Sequence, residues 1–234
     1  MAGKLILFPV PVGDTSPDMC IPPYNREMLN SCRIFIVEDI RTARRNLRAM
    51  GYEGSIDDTL FLELNEHTAE TDIINYLDPI AEGHNIGLMS EAGLPCVADP
   101  GNLVTDMAHR KNIDIVPLVG PSSIFLALMA SGFNGQNFAF NGYPPIDQNK
   151  FFQQLKTIET RIYRDNQTQI FIEAPYRNDK LLAFLAKRVQ PTTRICVACD
   201  LTLPTQYIRT RMARLWLNDP PQLHKRPTIF LLYK

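Results

Sequence analysis

Short apolar runs alternate along this chain with segments whose apolar residues recur every three or four positions. In the first half, the apolar runs predict strands at residues 4–12, 33–37, 60–64, 85–89 and 113–118. The intervening segments predict helices at about residues 22–31, 42–50, 69–77 and 102–111. Strands that alternate with helices in this way are typical of an α/β sheet with helices packed on its faces.

A second series of the same kind begins near Gly120. Its apolar runs predict strands at residues 138–141, 169–172, 194–199 and 228–233, and its amphipathic segments predict helices at 122–130, 150–161, 179–189 and 211–217. We therefore predict two α/β domains, comprising residues 1–118 and 119–234.

Composition and charge narrow the class of protein. Hydrophobic residues make up 45% of the chain and charged residues 21%, a composition that excludes wholesale disorder. The net charge of −1 excludes a uniformly basic surface, although a local basic patch remains possible. No apolar run approaches the roughly 18 residues that span a bilayer. Five Cys, an odd number, fit reduced thiols, so we expect a cytoplasmic protein without a membrane segment.

Cys196 and Cys199 form a C-x-x-C motif, which is typical of redox and zinc sites. A redox motif begins a helix, whereas this one lies in a predicted strand, where positions i and i+3 face opposite sides. No second Cys or His pair completes a zinc site. We therefore predict structural cysteines and no metal.

Loops rich in Gly and Pro follow three of the predicted strands. They are Phe8-Pro-Val-Pro-Val-Gly-Asp14, the segment at residues 90–101, and Val119-Gly-Pro-Ser-Ser123. Ligands of open α/β sheets bind beyond the carboxyl ends of the strands, so these loops predict one shared pocket. The chain has neither G-x-G-x-x-G after a strand nor G-x-x-x-x-G-K-[ST], which disfavours a dinucleotide fold and a P-loop.

These loops and three further blocks resemble the tetrapyrrole methylase superfamily, the class III S-adenosylmethionine (SAM)-dependent methyltransferases. The most similar branch is the small-subunit ribosomal RNA cytidine ribose 2′-O-methyltransferases, with T-P-I-G-N, E-D-T-R-x-T, S-D-A-G-T-P-G-I-S-D-P-G, G-P-S-A, F-x-G-F-L-P and Y-E-A-P-H-R. The matching segments are Val10-Pro-Val-Gly-Asp14, Glu38-Asp-Ile-Arg-Thr42, residues 90–101, Gly120-Pro-Ser-Ser123, Phe140-Asn-Gly-Tyr-Pro-Pro145 and Ile172-Glu-Ala-Pro-Tyr-Arg177. They occur in family order and cover nearly the whole chain.

The resemblance implies a tetrapyrrole methylase-like fold, a homodimer, and SAM bound in a cleft between the two domains. It also implies methyl transfer to ribosomal RNA. The cofactor residues that it implies are Pro11, Val12, Gly93, Leu94, Val97, Ser122, Ser123, Glu173 and Ala174, with fainter matches at Ala198 and Thr228.

The chain departs from this branch at positions that bear on catalysis. Where the branch has H-E-H-N-E, this chain has Leu62-Glu-Leu-Asn-Glu66, and where the branch has A-R-E-L-T-K, it has Ala198-Cys-Asp-Leu-Thr-Leu203. A ribose hydroxyl needs a base or a nearby cation to lose its proton, so the missing Lys leaves other functions open. These are methylation of a tetrapyrrole or another small molecule, SAM binding without methyl transfer, and an unrelated α/β hydrolase or transferase.

One local basic feature could bind RNA. Arg41, Arg44, Arg45 and Arg48 fall at i, i+3, i+4 and i+7 of a predicted helix and therefore share one face. They could hold phosphates, or they could form a solvated face paired with Glu38 and Asp39. The candidate catalytic residues are Asp14, Asn65 and Glu66, at strand ends that would border the methyl acceptor.

Overall fold

The computed structural model describes residues 2–65, 68 and 70–234, and the chain divides into two compact units, Met1–Ser122 and Ser123–Lys234. The sequence placed this boundary between residues 118 and 119. Two sheets with helices packed on them give each unit an α/β architecture.

The first unit is built on a five-stranded parallel sheet with the order β3-β2-β4-β1-β5. Its strands are β1 (Leu5–Phe8), β2 (Cys32–Val37), β3 (Leu60–Glu63), β4 (Asn85–Met89) and β5 (Ile115–Pro117). Its helices are α1 (Pro23–Asn30), α2 (Ile40–Ala49), α3 (Glu70–Ile73) and α4 (Gly101–Arg110).

The helices of this unit lie on opposite faces of the sheet. Leu29 of α1 and Leu47 of α2 pack with Phe8 and Phe35 on one face, whereas Val104 of α4 packs in a separate core on the other. The helices that follow the neighbouring strands β1 and β4 therefore diverge. Such a divergence opens a crevice at the carboxyl ends of the two strands, which is where open α/β sheets bind ligands.

The second unit has a mixed five-stranded sheet with the order β6-β7-β10-β8-β9, in which β6 and β7 are parallel and the other pairs are antiparallel. Its strands are β6 (Phe138–Phe140), β7 (Thr168–Ile172), β8 (Arg194–Cys199), β9 (Tyr207–Met212) and β10 (Thr228–Tyr233). Its helices are α5 (Ser123–Ser131), α6 (Gln148–Arg164), α7 (Asn178–Arg188) and α8 (Ala213–Trp216). Helix α5 covers one face, and α6, α7 and α8 cover the other.

Several predicted elements were wrong in extent or type, among them the strand predicted at 113–118, which is shortened to β5, and the helix predicted at 150–161, which is longer as α6. The first strand ends at Phe8 rather than at residue 12, because Pro9 and Pro11 have no N–H to donate to a ladder. Residues 207–212 form the edge strand β9, of which the predicted helix at 211–217 retains only α8. Tyr207, Ile208 and Thr210 of β9 are residues that favour strands, and the strand pairs with β8 along its whole length. Helix α3 ends at Ile73, and Ala69 lies outside the described residues.

The two cysteines of the C-x-x-C motif lie in strand β8, as predicted. Cys196 packs in the core beneath α5 and Cys199 in the core beneath α6 and α7, so their side chains point to opposite faces of the sheet. Burial raises the pKa of both thiols, which keeps them protonated and unreactive. Among the residues that the structure describes, no helix is long and apolar enough to span a membrane.

Candidate functional site

The loops after β1 and β4 are joined by a short antiparallel bridge between Val10 and Gly93. The Val10 N–H donates to the Gly93 carbonyl at 2.9 Å, and the Gly93 N–H donates to the Val10 carbonyl at 3.1 Å. The bridge lies where β1 and β4 end side by side and where their following helices diverge. It holds the two loops together at the crevice of the first sheet.

Gly93 also lies beside the loop that follows β5. A Cβ atom at this position would come within 3.4 Å of Val12 Cγ1 and 3.6 Å of the Pro121 carbonyl oxygen. The φ angle of Gly93 is +73°, a left-handed conformation in which a side chain is strained. All three Gly- and Pro-rich loops singled out in the sequence therefore meet around one glycine.

A half-buried carboxylate fixes the shape of the loop at residues 90–101. The oxygens of Asp99 accept hydrogen bonds from the Cys96 N–H at 2.9 and 3.0 Å and from the Gly101 N–H at 2.7 Å. Burial raises the pKa of Asp99, although these two N–H groups act in the opposite direction. Cys96 and Ala98 both have left-handed φ angles, of 67° and 64°, a strain that surrounding structure must hold in place.

Asp99 was part of a quoted motif, but the sequence did not single it out. The available signal was an Asp placed two residues before the first residue of a helix, because short polar side chains there commonly accept orphan N–H groups.

Residues of the three Gly- and Pro-rich loops fit the chemistry of SAM. Val12 and Leu94 are partly exposed, and Val97 and Val119 are 43% and 74% exposed, so apolar side chains border backbone groups that the bridge holds in place. An adenosine and a methionine moiety need backbone donors and acceptors together with apolar walls. Pro11 lies between the bridge and Val12, and Ser122 is buried at the end of the third loop.

Three of the cofactor residues predicted in the second unit, Glu173, Ala198 and Thr228, have buried side chains. Glu173 is 5% exposed; its carboxylate accepts from the Ala174 N–H at 2.8 Å and pairs with Arg177 at 3.2 Å. Ala198 and Thr228 are buried in β8 and β10, and the Ala198 side chain belongs to the core beneath α5. Ser123 is the first residue of α5. Any cofactor contact at Glu173 or Ala198 would therefore involve main-chain atoms.

The candidate catalytic residues follow different strands. Asp14 is exposed at the end of the loop after β1, and Asn65 follows β3. Because β4 and β2 lie between these strands, their axes are about 14 Å apart. The Asn65 amide donates to Glu63 Oε1 at 2.8 Å and its N–H donates to Thr68 Oγ1 at 3.0 Å. Glu66 lies outside the described residues.

The two leucines that replace the histidines of the RNA-modifying branch are structural in this chain. Leu62 and Leu64 pack in the core with Val104 of α4. Neither position presents a polar group that could take part in proton transfer.

The four arginines lie on the exposed face of α2, as their spacing predicts, while Ala43 and Leu47 are buried on the opposite face. We call Arg41, Arg44, Arg45 and Arg48 the arginine face. The Asp39 side chain accepts from the Thr42 N–H at 2.7 Å and caps the helix. Hydrogen bonding from Thr42, with a smaller contribution from the nearby charges of Arg41 and Arg45, lowers the pKa of Asp39. Asp39 therefore serves α2 as a cap.

Comparison with known proteins assigns this chain to a family. Residues 10–215 match the model of the tetrapyrrole (corrin/porphyrin) methylases. The chain is 28% identical to "Ribosomal RNA small subunit methyltransferase I" of Xylella fastidiosa over 86% of this chain and 69% of that protein. It is 29% identical to the Bacillus subtilis protein of the same name, over 93% of this chain and 71% of that protein.

Solved structures show the same fold at low sequence identity. The methyltransferase CobJ superposes with a TM-score of 0.66 at 17% identity, over 100% of this chain and 95% of that chain. A uroporphyrin-III-C-methyltransferase from Thermus thermophilus superposes with a TM-score of 0.54 at 17% identity, over 100% of this chain and 93% of that chain.

Proposed function

Because the chain belongs to the tetrapyrrole (corrin/porphyrin) methylases and is a SAM-dependent methyltransferase, we propose that its methyl acceptor is a ribose hydroxyl of small-subunit ribosomal RNA. The relatives named above carry small-subunit ribosomal RNA in their names, and the ribose hydroxyl is our proposal. The structural observation that carries the proposal is the arginine face, four exposed cations on one helix of a chain whose net charge is −1. Such a local basic face can neutralise phosphates although the chain as a whole is not basic.

In this proposal the main chain and apolar side chains of the three strand-end loops hold the cofactor. We assign that role to Pro11, Val12, Gly93, Leu94, Val97 and Ser122, which all lie in the first unit. When bound, SAM supplies an activated methyl group on a sulfonium, which makes alignment and exclusion of water a large part of the acceleration.

The acceptor hydroxyl must also lose a proton. Of the two described candidates, Asp14 has a carboxylate that can accept it, whereas the Asn65 amide can only orient the acceptor. Asp14 also lies two residues beyond Val12, on a loop that contacts Gly93. We therefore assign proton acceptance to Asp14 and a positioning role to Asn65, with Glu66 as the remaining candidate.

A second acceptor class, a tetrapyrrole or another small molecule, is favoured by one specific observation. Leu62, Leu64 and Leu203 replace polar residues of the RNA-modifying branch, and two of them are core residues here. The deciding experiment incubates the protein with tritiated SAM and either small-subunit ribosomal RNA or uroporphyrinogen. Tritium in the RNA alone supports our proposal, and tritium in the tetrapyrrole alone contradicts it.

We also propose that the protein is a homodimer in the cytoplasm. Phe125 and Met129 lie on an exposed apolar face of α5, and the ring of Phe125 makes an edge contact with Phe138 of edge strand β6 at 5.8 Å. Exposed apolar patches of this kind commonly mark interfaces. All five cysteines are free thiols, which fits a reducing compartment.

A further inference from the structure

A pocket lies within the second unit. It has a volume of about 380 Å³, within the range of ligand sites, and it lies between residues 144–146, the first turn of α6 and the first turn of α7. Phe151 and Phe184 form part of its wall, with stacked rings 5.1 Å apart. Lys180 of α7 lines another side, together with Tyr176 and Arg177 of the turn that precedes α7.

The two helices beside this pocket carry much of the unit's positive charge. Helices α6 and α7 contain seven Lys and Arg but only two Asp and Glu, in a chain of net charge −1. Lys180, Phe184 and Arg188 occur at intervals of four and therefore lie in a row along α7. On α6, Phe152 and Lys156 form a matching row, and the Arg188 guanidinium lies 5.1 Å from the centre of the Phe152 ring.

The carboxylates of this region are occupied by partners within the protein. Asp179 accepts from the Leu223 N–H at 2.8 Å, and Glu159 accepts from the Gln190 N–H at 2.7 Å. Asp147 caps α6, and Glu173 pairs with Arg177. These hydrogen bonds leave the carboxylate charges in place, but the seven Lys and Arg of α6 and α7 outnumber their two Asp and Glu, so the charge of this surface is mainly positive.

The aromatic side chains add a second kind of contact. Tyr176 is 64% exposed at the mouth of the pocket, although a large aromatic residue is normally buried. Ring faces close to cations are the features with which proteins bind single-stranded nucleic acid, because bases stack on the rings while phosphates contact the cations. From Lys180 to Arg188 the row extends about 12 Å along α7.

We propose that this pocket and the row beside it form a binding subsite for single-stranded RNA. One base stacks against Tyr176 at the pocket, and the phosphates that follow contact Lys180 and Arg188. The proposal rests on the proposed function, since it gives an RNA substrate a second contact besides the arginine face. It identifies the substrate as unpaired in this region, because a base within a duplex cannot stack on a side chain.

The charge variants Lys180→Glu and Arg188→Glu, alone and combined, test the phosphate contacts. Arg209→Glu is the matched control, since Arg209 is exposed on β9 at the opposite edge of the sheet. Binding of a fluorescent single-stranded RNA is measured by anisotropy over a series of salt concentrations. We expect the combined variant to lose on the order of tenfold in affinity, and the slope of log K against log salt to fall by about 0.7 for each lost contact. Binding equal to that of Arg209→Glu overturns the subsite.

Tyr176→Ala tests the stacked base, with Tyr176→Phe as its matched variant. Loss of one stacked base should weaken binding about fivefold or more. The salt slope should stay unchanged because no charge is lost, and Tyr176→Phe should retain affinity because its ring remains. If Tyr176→Ala binds RNA as the unmodified protein does, no base stacks there.

A photo-crosslinking residue tests the same contact without removing any pocket side chain that the proposal uses. Placed at Ile146, which is 81% exposed beside the pocket, it should crosslink to the single-stranded RNA, and placed at Leu215 of α8 it should not. Equal labelling at both positions contradicts the subsite.

Methyl transfer from tritiated SAM to small-subunit ribosomal RNA separates the two proposals. If the unmodified protein methylates the RNA and the variants bind RNA normally, only the subsite is wrong. If the unmodified protein neither binds nor methylates RNA, the proposed function fails and the subsite fails with it.

Discussion

Val10 and Gly93 exchange both of their backbone hydrogen bonds, at 2.9 and 3.1 Å, although they belong to loops that follow different strands. The pair joins the carboxyl ends of β1 and β4, and a side chain at Gly93 would reach the third loop at Pro121. Backbone groups in this region are therefore fixed before any ligand arrives, which lowers the entropic cost of binding.

Replacing Gly93 with Val should weaken SAM binding at least tenfold. A Cβ at Gly93 has ordinary van der Waals distances of 3.4 and 3.6 Å, so the expected loss comes from strain at φ +73°, which displaces the backbone of the loop. Gly132→Val is the matched control, since Gly132 has φ +74° with nothing within 4 Å of its Cβ position. We expect both variants to lose about 1–2 kcal/mol of stability and only the first to lose SAM affinity in calorimetry. Unchanged affinity in a folded Gly93→Val protein counts against this placement of the cofactor.

The half-buried carboxylate of Asp99 should give the protein a specific pH dependence. Burial raises the folded-state pKa of Asp99 above its ordinary value of 3.8, so the folded protein binds this proton more tightly than the unfolded chain does. The stabilisation linked to that proton is complete below pH 3.8 and is lost as the pH rises through the raised pKa. The free energy of unfolding of the parent, minus that of Asp99→Asn, should therefore decrease over this window in denaturant titrations. A difference that increases with pH would show that the N–H groups of Cys96 and Gly101 outweigh burial.

Reversing the charge of Arg44 and Arg45 should weaken binding to small-subunit ribosomal RNA by on the order of tenfold or more, and should lower its salt dependence. The Arg44 guanidinium also lies 5.5 Å from the centre of the Phe61 ring, so Arg44→Gln with Arg45→Gln should accompany the Glu pair to separate charge from packing. Filter binding at several salt concentrations measures both quantities, with Arg209→Glu as the control. If the Glu pair binds like that control, the arginine face is only a solvated surface.

Introducing a charge at Met129 should dissociate the homodimer. Met129 is 77% exposed on the apolar face of α5, so Met129→Glu leaves the monomer's own core intact while opposing burial against a second copy. Light scattering at micromolar concentration should report a dimer for the parent and a monomer for the variant. A parent that is monomeric under these conditions contradicts the proposed dimer.

The sequence determined the local features of this protein. Periodicity predicted the two α/β series, and spacing placed the arginine face on one side of α2. Both predictions hold because side chains return to the same face after a fixed number of residues, which differs between a helix and a strand. Proline and glycine marked the loops at which the strands end. The motifs along the chain supplied the family, which the match over residues 10–215 confirms.

Tertiary structure decided which distant residues meet. The bridge between Val10 and Gly93, the pairing of β9 with β8, and the proximity of Phe184 to Phe151 all depend on strand order and helix packing, which local preference does not encode. Tertiary structure also decided which side chains are accessible. Ala198 and Glu173 matched cofactor motifs, yet the Ala198 side chain is buried in the core and the Glu173 carboxylate forms an ion pair with Arg177. Side-chain burial and pairing are properties of the assembled fold, because they arise from contacts between segments far apart in the chain.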